Sequence, residues 1–344
     1  MQSLRATTSA TIAVIAAAQL VTTAATADAV EDFYKGRQIS IVIPAGAGGS
    51  YALYGRLAVQ YMPRYLPGNP TIVLQLMPGA GGTKANNYFQ NVAPKDGSVI
   101  MSLHADSVQT QLLRATGIKY DASKFVGVGQ FTDQNSAIAV WHKAPATSFD
   151  GVRKTEVILG ATGKGSYQYQ LPMVMNAVLG TKFKVITGYR GTRKQDLAME
   201  SGEIHGRTGS IASWASGRPE WLKAGKLAFI AQVGVNRSAE FRKVPLVTEL
   251  APTDEGRRML QLVSSGSVLG RSVVTTPGIP ADRLAALRAA FDRAVADPAL
   301  RAYCAKRKIA LNPKSGKELQ RLLAEARDVP PQVVARVKAV LKLK

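Results

Sequence analysis

The chain has 344 residues, 46% of them hydrophobic, and carries 44 Lys and Arg against 23 Asp and Glu, a formal net charge of +21. This length makes about two ordinary domains, and the single Cys304 excludes both an internal disulfide and a thiolate metal cluster. The charge favours anionic ligands, yet the basic residues (Arg56, Lys95, Lys124, Lys164, Arg257, Arg283, Lys306) are spread along the chain without interleaved stacking aromatics, which argues against nucleic acid.

From the N-terminus, Arg5, the apolar run Ala10 to Val21 and the A-x-A site Ala25-Thr26-Ala27 read as an export signal cleaved near Ala27. The run is too short to span a bilayer, which takes about 20 residues. Ile39 to Ile43 is an apolar strand that breaks at Pro44 into a turn with Gly46, Gly48 and Gly49, and Ser50 opens a helix with Leu53, Leu57 and Tyr61 on one face. Pro63 ends that helix near Tyr61. The pattern then repeats: Ile72 to Met77 is a strand, Pro78 to Gly82 a second glycine turn, and a helix begins near Thr83 and carries Tyr88 and Phe89 inward. A third strand, Val99 to Leu103, leads to His104 and to Asp106 as helix N-cap. Three strand-loop-helix units predict a parallel sheet with Gly48, Gly81 and His104 on one rim, at the carboxyl ends of its strands. First-turn N–H groups of a helix lack intrahelical partners, and glycine lets an anion approach them, so two such turns can hold one carboxylate. Neither turn fits a nucleotide signature in full.

A second series follows Phe131. Ala137 to Trp141 and Val157 to Ala161 read as strands, the latter running into a third glycine turn, Thr162 to Ser166. Its helix shows Leu171, Val174, Met175 and Val178 at helical spacing, holds Pro172 and ends at Gly180. Phe183 to Ile186, a helix to about Ser201 and Thr208-Gly209-Ser210 complete this unit. Tyr189-Arg190 reads equally as a carboxylate clamp or a solvated turn. Beyond Val233 come a helix from Glu255 to Leu262, a strand from Arg271 to Thr275, a long helix stopped by Asp297-Pro298 and two more helical segments. With no low-complexity linker, the two units are expected to be joined by short crossing strands.

Enzymatic signatures are weak. His104, His142 and His205 lack metal-ligand spacing, and no G-x-S-x-G elbow occurs. A Ser/His/Asp site assembled in space around His104 stays open as a minor alternative, as does a ligand-presenting sensor module.

The segments IVIPAGAGGSYALYGRLA, LQLMPGAGGTKANNYFQNVAPKDGS, ATGKGS, GYRG, KVPLVTEL and VTTPGIPADRLAALRAAFDRAVADPALR, in order over most of the chain, resemble the tripartite tricarboxylate transporter substrate-binding proteins, the Bug or TctC family of extracytoplasmic solute receptors. The resemblance implies a two-lobed α/β periplasmic binding protein of the type II-like Venus-flytrap kind. Its parts would be a signal peptide (1–27), lobe one (28–132), lobe two (133–234), a return to lobe one (235–316) and a C-terminal helical segment (317–344). It implies a monomer without catalysis, cofactor or metal that hands a small organic carboxylate to a membrane permease. The carboxylate would sit between Ala45, Gly46, Gly48, Gly49, Ser50 and Gly79, Ala80, Gly81, Gly82, near His104. Gly165, Ser166, Tyr167, Tyr189 and Ser210 would close over it from lobe two. Ala52, Thr83 and His205 stand where the family often has Asp, Asn and an acid. Lys164 and Tyr167 suit an aromatic or dicarboxylic acid.

Overall fold

The computed structural model describes residues 29–343 apart from 115, 190, 235–236 and 239–240. The expected leader and Arg190 of the expected clamp therefore lie outside the described residues.

Two sheets organise the chain. The first joins β1 (Gln38–Ile43), β2 (Thr71–Leu76), β3 (Val99–Ser102), β4 (Val126–Gln130), β10 (Ser272–Thr275) and β11 (Lys314–Ser315) in the order β11-β4-β10-β3-β1-β2. β1 lies parallel to both β2 and β3, as the repeated strand-loop-helix pattern predicts, whereas β10 runs antiparallel to β3 and β4. The second sheet joins β5 (Ser136–Trp141), β6 (Val157–Ala161), β7 (Phe183–Thr187), β8 (Gly206–Ser210) and β9 (Leu227–Val233) in the order β7-β6-β8-β5-β9. Here β6 is parallel to β7 and β8, and β5 is antiparallel to β8 and β9.

Apolar clusters cover both faces of each sheet, giving two three-layer α/β lobes. In lobe one, α1 (Ser50–Tyr61) packs Leu57 and Tyr61 with Phe291 of the helix Ala281–Ala296, while Phe89 and Phe125 fill the opposite face. The helix ends at Tyr61, where Pro63 begins a 3-10 turn. In lobe two, Leu171, Val174 and Met175 of the helix Tyr167–Leu179 pack under the sheet, and Trp214 and Trp221 fill the other side. Pro172 lies inside that helix, and Gly180 at φ +69° closes it in the left-handed conformation.

The boundaries of the lobes differ from the expected ones after residue 234. Met259, Leu260 and Val263 of the helix Asp254–Ser264 pack in lobe two, so the chain returns to lobe one only near residue 265. Helix Gly316–Arg327 joins lobe one through Leu319, Leu322 and Leu323, but Val333, Val337 and Leu341 of the last helix, Pro331–Leu341, return to the lobe-two core. Apolar periodicity identifies the buried face of such a helix, not the lobe that buries it.

Two crossing segments run side by side between the lobes. The Phe131 N–H donates to the Arg271 carbonyl (2.9 Å), the Arg271 N–H to that of Thr132 (2.8 Å) and the Gln134 N–H to that of Ser267 (2.9 Å). Across the lobes, buried Gln109 of the helix Ser107–Leu113 donates to Gln170.

Candidate ligand-binding cleft

The first glycine turn is shaped by the start of α1. Leu53 N–H gives the first intrahelical bond, to the Gly49 carbonyl at 3.1 Å, so the N–H groups of Ser50, Tyr51 and Ala52 stand before the ladder begins. No atom outside the turn comes within 4 Å of where a Cβ would stand on Gly46 or Gly48. The turn is thus open to an incoming group. From the crossing segment, buried Arg271 donates through Nη2 to Ser50 Oγ (2.6 Å) and lies 4.2 Å from the centre of the Tyr51 ring. It places a cation directly behind the helix start.

The second turn has four successive residues at positive φ: Gly79, Ala80, Gly81 and Gly82 at +146°, +48°, +63° and +87°. Three are glycine, which adopts this region without a Cβ penalty. Gly82 is also crowded, for a Cβ there would stand 2.6 Å from His104 Cβ, whereas Gly81 is open. His104 stacks on Tyr51 with centroids 5.1 Å apart, and the Ala105 N–H donates to the Tyr51 hydroxyl (2.9 Å). The two turns and His104 are therefore one connected rim, as the strand order predicts.

His104 is an unpromising base. Its Nδ1 accepts from the Asp106 N–H (3.3 Å), and burial, with Arg271 adding to it and Asp106 opposing, holds its pKa below the ordinary value. Asp106 stands at the N-cap position of the next helix, but its side chain makes no capping bond, which corrects that expectation. Burial raises its pKa against the opposing charges of His104 and Arg271. Burial likewise pushes the Tyr167 hydroxyl up to about 12, with the Asp106 charge of lobe one adding to it.

Lobe two brings less of its expected set to bear. Gly165 is open, with nothing near a Cβ position. Ser166 Oγ donates to the Gly163 carbonyl (2.7 Å), and Ser210 Oγ accepts from the Ser213 N–H (3.2 Å) to cap the following helix. Tyr189 is drawn elsewhere: its ring packs beside Gly160 and its hydroxyl donates to Glu203 (2.6 Å). That leaves the phenol turned back over the sheet, a partnership that spans fourteen positions and has no local sequence signal.

What closes the cleft is a set of cations that sequence reading treats as scattered. A cavity of about 550 Å³ between the lobes is lined by Gly48, Gly49 and Ser50 together with Arg56, Arg193, Arg207, Arg218, Arg307 and Lys308. Asp196 is the sole acid among its lining residues. Of the residues expected to hold the carboxylate, Gly48, Gly49 and Ser50 line this cavity, whereas Ala45, Gly46, the second turn, His104 and the lobe-two set Gly165, Ser166, Tyr167, Tyr189 and Ser210 do not. Such a site suits a small anion: N–H dipoles with Arg56 and Arg307 on the lobe-one wall, and Arg193, Arg207 and Arg218 on the lobe-two wall.

A profile of the tripartite tricarboxylate transporter family receptor, TctC, matches residues 58–338. A search of curated proteins gives no match. Among solved structures the chain is similar to the periplasmic binding protein BugD, at 18% identity and a TM-score of 0.68 over 89% of this chain and 98% of that one. It is also similar to Rpa4515 of R. palustris with adipate, at 18% identity and TM-score 0.67 over 89% and 97% of the two chains. MatC from Rhodopseudomonas palustris with bound malate gives 19% identity and TM-score 0.66 over 89% and 99%. At these identities the structures establish the two-lobed fold.

Proposed function

Because the chain belongs to the tripartite tricarboxylate transporter receptor family, we propose that it is an exported receptor that captures a small organic carboxylate by closing its two lobes. It acts in the periplasm as a monomer, after removal of the leader near Ala27, and delivers the solute to a membrane permease. The observation that carries this reading is the cleft lined at once by the open turn Gly48 to Ser50 of lobe one and by Arg193, Arg207 and Arg218 of lobe two. Adipate and malate in two similar structures support the ligand class. Among the described residues no helix is long and apolar enough to cross a membrane. Closure follows from contact with both walls, since a ligand shifts an equilibrium only by its differential affinity for the two states. The absence of turnover is part of the proposal, supported by His104, whose Nδ1 accepts from the Asp106 N–H, so that the neutral ring carries its proton on Nε2 and has no free nitrogen to act as a base.

A thermal-shift panel of mono-, di- and tricarboxylates with phosphates and sugars as controls tests it. A carboxylate at about 100 times its dissociation constant adds about 2.7 kcal/mol, a shift of several degrees. Stabilisation by sugars or phosphates alone would refute the carboxylate assignment.

A further inference from the structure

Behind the crossing segments lies a second cavity, of about 580 Å³, a size within the range of small-molecule pockets. Both lobes build it. Leu262 comes from the helix Asp254–Ser264 of lobe two and Leu322 from the helix Gly316–Arg327 of lobe one. Ser267 and Val268 reach it from the segment that returns to lobe one, and residues 328–330 from the link that carries the chain back to the last helix in lobe two.

This rear cavity and the solute cleft occupy opposite faces of both sheets. In lobe one the cleft is lined from α1, whose Leu57 packs on one face of the sheet, whereas Leu322 packs with Phe89 and Phe125 on the other. In lobe two the cleft takes Arg193 and Ser213 from the helices that bury Met199 and Trp214, whereas Leu262 packs with Leu171 and Val174 on the far face. A rotation about the crossing segments that narrows the cleft therefore widens the rear cavity. A molecule wedged in the rear cavity resists reopening of the cleft.

The lining of the rear cavity is graded in polarity. Leu262, Val268, Leu322 and Val329 are buried or half-buried, while Arg258, Glu325 and Asp328 stand exposed at the rim. Neighbouring charges are matched: Arg257 with Asp254, Arg321 with Glu325, Arg327 with Asp121 and Arg336 with Glu255. Arg258 and Asp328 take no part in an ion pair among the described residues. A guanidinium and a carboxylate left unmatched above an apolar floor complement a zwitterion with an apolar tail.

We propose that the rear cavity is a second small-molecule site that takes an α-amino acid with an apolar side chain and, when filled, holds the cleft closed. The amino acid's carboxylate meets the planar fork of Arg258, its ammonium meets Asp328, and its side chain covers the floor. By linkage, amino acid and solute tighten one another by the same factor. The site goes beyond the carboxylate reading of the cleft and does not depend on it.

The test is a titration of protein carrying ¹³C-labelled Leu and Val methyl groups with leucine, and with leucinamide and N-acetylleucine, each of which lacks one of the two charges. Leucine should shift the methyl signals of Leu262, Val268, Leu322 and Val329 saturably and bind about tenfold or more tighter than either analogue. Arg258→Gln and Asp328→Asn, both at exposed positions, should each weaken leucine by about tenfold. Saturating leucine should tighten the most stabilising carboxylate about fivefold or more in calorimetry. Ala326→Phe, which fills the rear cavity, should block leucine and tighten the carboxylate by itself; if that variant does not fold, the leucine-saturated unmodified protein decides. Unmoved methyl signals, or leucine binding indifferent to both rim variants, overturns the site. Equal binding of leucinamide or N-acetylleucine overturns the zwitterion class, and an unchanged carboxylate affinity at saturating leucine overturns the coupling. If no carboxylate binds at all, the cleft reading fails while the leucine titration still decides the rear site.

Discussion

The two walls of the cleft are made from different materials. Lobe one offers main-chain N–H groups at the start of α1, exposed by glycines that contribute no side chain, with Arg271 behind them. Lobe two offers side chains: a buried arginine braced by Asp196 and Trp214, with further cations at its margin. A backbone cradle reads charge and shape coarsely and tolerates little added bulk. A side-chain wall can be retuned one residue at a time. On the proposed reading, anchoring belongs to lobe one and selectivity to lobe two.

Breaking the anchor should have the largest effect. Gly48 has ordinary φ and open space around it, so Gly48→Asp keeps the fold and sets a carboxylate where the ligand's carboxylate belongs. Like charges so placed cost several kcal/mol, enough to abolish measurable binding in calorimetry, with circular dichroism unchanged. Gly82→Ala acts instead on stability, through its φ of +87° and the contact with His104. Backbone strain of about 1–2 kcal/mol and overpacking of about 1–3 kcal/mol should both appear as a lowered denaturation midpoint.

His104 provides a pH-dependent probe of the rim. Its folded pKa is depressed, so the native state resists a proton that the unfolded chain accepts near 6.5. Its contribution to stability is therefore full above about pH 6.5 and is lost as pH falls through the lowered folded value. His104→Gln should flatten the fall in thermal midpoint on acidification from pH 7; an unaltered slope would show that the imidazole titrates as in water. The smallest effect is expected in lobe two, where Ser166→Ala removes a neutral bond to Gly163 and should change stability or affinity by about 0.5–1.5 kcal/mol. A larger loss of binding would mean that Ser166 touches the ligand and that the anchoring is shared.

The contrast between the walls also explains what the sequence made legible. The strands and turns of lobe one are local: Ile39 to Ile43 and the glycines after Pro44 lie within a dozen positions, and their repetition at Ile72 to Gly82 signals a common rim. Helix boundaries at Tyr61 and Gly180 follow from Pro63 and from glycine's left-handed φ. The basic wall had no such signature. Arg56 and Arg307 reach it from lobe one while Arg193, Arg207 and Arg218 reach it from lobe two, and only the folded chain brings them together. Arg207 looks in sequence like one cation among many. Its distinguishing features, burial over Gly209 and the bond to Asp196, are tertiary. The return of Val333 and Val337 to lobe two escaped for the same reason.

The most direct measurement is amide NMR on protein labelled with ¹⁵N-glycine and ¹⁵N-serine, titrated with the carboxylate that gives the largest thermal stabilisation. The account predicts that the amides of Gly48, Gly49 and Ser50 move first and furthest. Saturable binding with those three signals unmoved would contradict it and place the ligand elsewhere in the molecule.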